Sequence, residues 1–132
     1  MSKQLFWLAL LALAGCGGSQ EAFAPPPQLA GEWRLESVEQ LAPEGIPQPV
    51  ASQRVEAAFR AVYRRGTETA AIELFRMQAA PSAFELVQQW RPVEGKLAGY
   101  RDRWFFTVES PDAGNETLSA LADALEQSLS QP

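Results

Sequence analysis

RVEAAFRAVYRRGTETAAIELFRM, Arg54 to Met77, decides the fold, because its apolar side chains recur every second residue on both sides of a central Gly66-Thr67. Val55, Ala57, Phe59, Ala61 and Tyr63 share one side of an extended chain, and Arg54, Glu56, Arg60 and Arg64 share the other. On a helix those five apolar positions would spread around the cylinder at roughly 100° per residue, so the strand reading wins although Ala, Glu and Arg favour helices. After the turn, a strand from Ala70 alternates Ile72, Leu74 and Arg76 against Ala71, Glu73, Phe75 and Met77. Two such runs joined through a glycine predict an antiparallel hairpin with one packed and one solvated face.

Upstream, Leu29 to Val38 alternates Trp33, Leu35 and Ser37 against Glu32, Arg34 and Glu36, which predicts a further strand. Ala42 to Pro49 carries three prolines and a glycine and is expected to be a loop. Downstream, Pro81 opens a helix to about Trp90 whose packed face is Ala80, Ala83, Phe84, Val87 and Trp90. Leu97–Tyr100 and Trp104–Glu109 predict two strands around an Arg101-Asp102-Arg103 turn; the second is apolar on both sides, as a central strand is. Asn115 caps a last helix with the stripe Leu118, Leu121, Ala122, Leu125 and Leu129. The expectation is one α+β domain over residues 29–132, an antiparallel sheet of about five strands with both helices packed on one face.

Ahead of that domain, Lys3 precedes ten apolar residues, Leu5 to Ala14, followed by Gly15 and Cys16, the sole cysteine. A membrane-spanning helix needs roughly 20 apolar residues, so the run has the length of a removable export signal. Leu13-Ala14-Gly15-Cys16 resembles the lipobox of bacterial lipoproteins. The resemblance implies that residues 1–15 are a signal peptide, that Cys16 becomes the lipidated N-terminus carrying palmitate-type acyl chains, and that the protein is anchored to a membrane of the cell envelope. Gly17, where inner-membrane lipoproteins carry Asp, implies the periplasmic face of the outer membrane. Two or three acyl chains hold a protein to lipid where one binds only marginally. Residues 16–28, with Gly17, Gly18, Ser19 and Pro25 to Pro27, are expected to form a tether spanning at most about 40 Å.

Removal of the leader takes Lys3 and leaves ten lysine and arginine residues against sixteen Asp and Glu. That balance argues against a nucleic-acid partner. The one basic cluster, Arg60, Arg64 and Arg65 beside Tyr63, is either a solvated strand face or an anion site, the former being simpler. Without any histidine or second cysteine, the usual zinc and copper ligand sets and the Ser-His and Cys-His nucleophile pairs cannot be built, and no metal or cofactor is expected.

The stretch Tyr63-Arg64-Arg65-Gly66, the strand Ala71 to Met77, the helix around Ala83 and Phe84, and the strand Trp104 to Val108 resemble an uncharacterised family of bacterial envelope proteins. That resemblance implies no site residues. Three functions are open. The first is a non-catalytic interaction or accessory module bound to an envelope protein. The second is a binding module that holds a small apolar or lipid ligand between sheet and helices with Trp33, Phe59, Trp90, Trp104 and Phe106. The third is an enzyme using carboxylates such as Glu56, Glu73, Glu85 and Asp102, which show no pair spacing and read as solvated faces; a non-enzyme is expected.

Overall fold

The computed structural model describes residues 23–130. The leader, Cys16 and the tether up to Ala22 therefore lie outside the described residues. In chain order the elements are β1 (Gln28–Leu29), β2 (Trp33–Gln40), β3 (Val55–Arg65), β4 (Glu68–Met77), α1 (Ala80–Gln89), β5 (Lys96–Arg101), β6 (Trp104–Glu109) and α2 (Asn115–Leu129). They form one antiparallel sheet in the order β1-β2-β3-β4-β6-β5. The α+β class and the central hairpin are as expected: Tyr63 pairs with Ala70 and Ala61 with Ile72 around Gly66, which holds a left-handed φ of 61°.

The sheet has six strands where about five were expected. The extra one, β1, comes from the segment expected to be a single strand from Leu29: Ala30 (φ 50°) and Gly31 (φ 83°) reverse the chain, so Leu29 pairs back onto Trp33. Left-handed backbone is routine for glycine and uncommon for alanine, so Ala30 gives no warning of the turn.

The two helices lie on opposite faces, not on one. Trp33, Tyr63, Ile72, Leu74, Phe106 and Val108 point to one side and pack under Leu118, Leu121, Ala122 and Leu125 of α2. Ala58, Phe75, Met77 and Phe105 point to the other side and pack with Val50 under Ala83 and Leu86 of α1. Neighbouring residues of a strand face opposite ways, so the consecutive buried Phe105, Phe106, Thr107 and Val108 require cover on both faces. The apolar character of β6 on both sides was the signal; it states double cover as well as a central place. β4-α1-β5 is then a crossover between parallel strands with β6 inserted between them.

Two bulges shift the expected alternation. Between Val55 and Ala57 the register slips at Glu56, which turns Val55 to the α1 side while Ala57, Phe59, Ala61 and Tyr63 keep the α2 side. A second slip between Leu35 and Ser37 replaces Ser37 by Val38 on the α2 side. The buried stripe of α1 is Ala83 and Leu86, with Val87 and Trp90 partly buried, an i, i+3, i+4, i+7 pattern. Phe84, expected inside, is 44 % exposed. Helix α2 starts at Asn115 behind an N-cap at Gly114, with no side-chain cap bond, so Asn115 is the first helical residue and not the cap.

Candidate functional site

The two sides of the sheet place the residues singled out above very differently. Trp33 and Phe106 are sealed in the α2 core. Phe59 and Trp104 lie at the margin of that core, where Phe23 covers both, its ring centroid 5.5 Å from Phe59 and 4.7 Å from Trp104. Trp90 sits on the α1 side, 5.6 Å from Phe105. The five aromatics therefore do not line a common cavity. The indole N–H of Trp90 is buried without a hydrogen-bond partner among the described residues, beside a surface cleft of about 460 Å³ that Pro49 and Val93 also line.

The N-terminal segment from Phe23 is docked. Pro25 is buried, the Tyr63 hydroxyl donates to the Pro26 carbonyl (2.8 Å), and the Leu35 N–H donates to the Pro27 carbonyl (2.9 Å). Prolines 25 to 27 have no N–H to satisfy, which suits a strap laid over apolar side chains. Burial pushes the Tyr63 phenol well above its ordinary value, since the ionised form would be cut off from water.

The basic cluster is neutralised where it stands. Arg60 meets Glu73 at 3.0 Å, Arg64 binds Glu36 through two nitrogens at 2.9 and 3.3 Å, and Arg65 meets Glu68 at 2.8 Å while lying over the Trp33 ring. The neighbouring carboxylates hold Arg64 and Arg65 above their ordinary values. Arg60 and Arg64 point to the α1 side, whereas Tyr63 and Arg65 point to the α2 side, so the cluster is split between the two faces. The four candidate carboxylates are likewise scattered. Glu56 lies 3.3 Å from Arg103, Glu73 is bound to Arg60, Glu85 accepts from Gln53 at 3.5 Å, and Asp102 occupies the β5–β6 turn with φ 54°.

The feature that sequence patterns did not reveal is a cleft along β5, the strand at the free edge of the sheet. Both helices pack against it, α1 from one face and α2 from the other. The cleft measures about 520 Å³ and is lined by Val87 of α1, Gly99 to Asp102, and Glu126 of α2. Gly95 accepts from the Ser110 N–H, and bonding to β6 recurs at every second residue, at Leu97, Gly99 and Arg101. Ala98 and Tyr100 therefore turn their N–H and C=O groups away from β6, out of the sheet, those of Tyr100 at the cleft. Lys96 also faces outward, but its N–H is bound to the Val93 carbonyl.

Above Gly99 on the α2 side stand the Phe106 ring and the Glu126 carboxylate: a Cβ at position 99 would lie 2.6 Å from Phe106 Cζ and 3.4 Å from Glu126 Oε2. Desolvation there, with the like charge of Asp123, raises the Glu126 carboxyl above the usual range, against the opposing effect of Arg101. On the α1 side, Phe84 and Tyr100 form an exposed edge-to-face pair 5.5 Å apart. Chemically the cleft offers backbone donors and acceptors, an acidic wall and an aromatic wall. Among the described residues no cluster of three His, Cys, Asp or Glu could hold a metal ion, and no helix is long and apolar enough to cross a membrane. Comparisons with protein-family models, curated proteins and solved structures find no match to this chain.

Proposed function

We propose that the chain is a lipid-anchored lipoprotein of the bacterial envelope, acylated at Cys16 once residues 1–15 are removed, and that its domain is a non-catalytic interaction module facing the periplasm from the outer membrane. The observation that carries this reading is the sequence Leu13-Ala14-Gly15-Cys16 at the end of a ten-residue apolar run, with the sole cysteine at the cleavage point. The docked strap supports it. Seven residues lead from Cys16 to Phe23, so even fully extended they reach about 25 Å, shorter than the 40 Å of a free tether. Phe23 rests on Trp104, and Trp104 is the register partner of Arg101, so the anchor point and the β5 cleft share one end of the sheet. A partner held in that cleft would lie close to the lipid.

The test is intact-mass analysis of the native product, with membrane fractionation of a Cys16→Ser variant and crosslinked pull-down from detergent extract. A diacylglyceryl mass shift, loss of the variant from membranes and a reproducible crosslinked protein are expected; an unmodified thiol or recovery of no partner overturns the reading.

One observation favours a second reading, a small apolar ligand held at Trp90. The unpartnered indole N–H could donate to an acceptor on a molecule lying against Pro49 and Val93. Native mass spectrometry after gentle extraction separates the two, since a clean unliganded mass removes this one.

A further inference from the structure

We propose that the β5 edge is a strand-addition site for a partner protein, taking an extended segment in which basic and apolar side chains alternate. The proposal deepens the interaction-module reading and rests on it.

The argument starts from the two edges of the sheet. Natural sheets blunt their edges with charges, prolines, bulges or cover, because unpaired backbone groups recruit other strands. The β2 edge carries such devices: β1 and the strap cover its first half, and the Leu35/Ser37 bulge with Glu36 and Glu39 marks the remainder. The middle of β5, Ala98-Gly99-Tyr100, has no charge, no proline and no bulge, and its outward N–H and C=O groups at Ala98 and Tyr100 have no backbone partner among the described residues. An added strand would hydrogen-bond to them between the walls formed by α1 and α2.

The walls specify the side chains. Successive residues of an added strand would point alternately toward α2 and toward α1. Those on the α2 side meet Glu126, which stands over Gly99 and whose repulsion by Asp123 is offset only in part by Arg101, so a cation there is favoured. Those on the α1 side meet Phe84, Val87 and Tyr100, an exposed aromatic pair beside an aliphatic side chain. A second copy of β5 fits poorly, because antiparallel self-pairing of Ala98 with Ala98 or with Tyr100 would set Leu97 or Gly99, not a cation, opposite Gly99 and Glu126. A segment of the pattern basic-apolar-basic-apolar satisfies both walls and the backbone together.

The experiment uses the detergent-solubilised full chain and three labelled hexapeptides: alternating lysine and valine, alternating glutamate and valine, and a block of three lysines followed by three valines. Fluorescence anisotropy at low salt should show the alternating basic peptide binding at least about tenfold more tightly than either other. Ala98→Pro removes an outward N–H at an edge position where proline is tolerated, so it should keep the fold and weaken that peptide at least about tenfold. Glu126→Gln should weaken it about threefold and reduce its salt dependence. Amide exchange on the unaltered chain should slow at Ala98 and Tyr100 when the peptide is added, a readout independent of whether the proline variant folds. Absence of binding, equal affinity for the three peptides, or protection along Ser37 to Gln40 instead overturns the site. The two failures read apart: lost peptide discrimination with a partner still crosslinked overturns the strand-addition site alone, whereas no reproducible partner overturns the module reading beneath it.

Discussion

The two faces of the sheet are built on different scales. On one, the fifteen-residue α2 and the Phe23–Pro27 strap jointly cover a core that runs from Leu29 to Leu125. On the other, the ten-residue α1 covers only Ala58, Phe75, Met77 and Phe105, leaving Arg60, Val62 and Ala71 to a shallow, partly charged depression. The deep face holds the fold together. The shallow one, with the β5 edge beside it, leaves surface for other molecules.

The largest expected effect tests that inequality. Leu121→Ala, in the deep core, should cost about 4–5 kcal/mol, because its neighbours are fixed on every side and a cavity remains. Leu86→Ala, on the inner side of the short helix α1, should cost about 2–3 kcal/mol, since that helix covers a smaller core and can settle into the space left. Urea denaturation measures both, and equal costs would erase the distinction between the faces.

A smaller effect sharpens the strap's share of the deep face. Tyr63→Phe deletes the hydroxyl bond to Pro26 and should cost about 1 kcal/mol at neutral pH. Its pH dependence has a defined sign. The folded phenol titrates above its ordinary 10.0, so its contribution is full below that value and is lost as pH rises through the folded one. The urea midpoint of the unaltered chain should therefore fall as pH climbs past 10.0, while that of Tyr63→Phe falls less, narrowing the gap between them.

The smallest effect belongs to the cleft. Glu126→Gln removes a carboxylate whose charged form is disfavoured by desolvation and by Asp123. It should leave stability at pH 7 unchanged or raise it by under about 0.5 kcal/mol. The gain should vanish below about pH 4, where the native carboxyl is protonated in both states. Thermal unfolding at the two pH values checks it. A stabilised variant that binds the basic peptide less well would mark Glu126 as a residue kept for contact rather than for folding.

Much of this arrangement is legible in the sequence, for identifiable reasons. The β3–β4 hairpin announces itself because strands of eleven and ten residues repeat the period-two signal many times, and α2 because four buried positions recur along one stripe. β1 is silent because two residues carry no period and its turn uses Ala30. The bulge at Glu56 cannot be read from alternation, since the slip moves Val55 without changing any residue type. A helix stripe says that one side is buried but not against which face of a sheet; only the four consecutive buried residues of β6 imply cover on both. The β5 cleft is not legible in the sequence because its walls come from α1 and α2, and its backbone groups leave no mark in side-chain patterns.

The strap also sets how the domain responds to mechanical load. Tension drawn from the N-terminus reaches the sheet first through residues 23–27, which are fastened by one ring wedge, one hydroxyl and one amide rather than by a continuous ladder. That segment yields before β2 or β3 unzip, lengthening the leash by about 15 Å at roughly 3.3 Å per residue while the globule behind it stays intact.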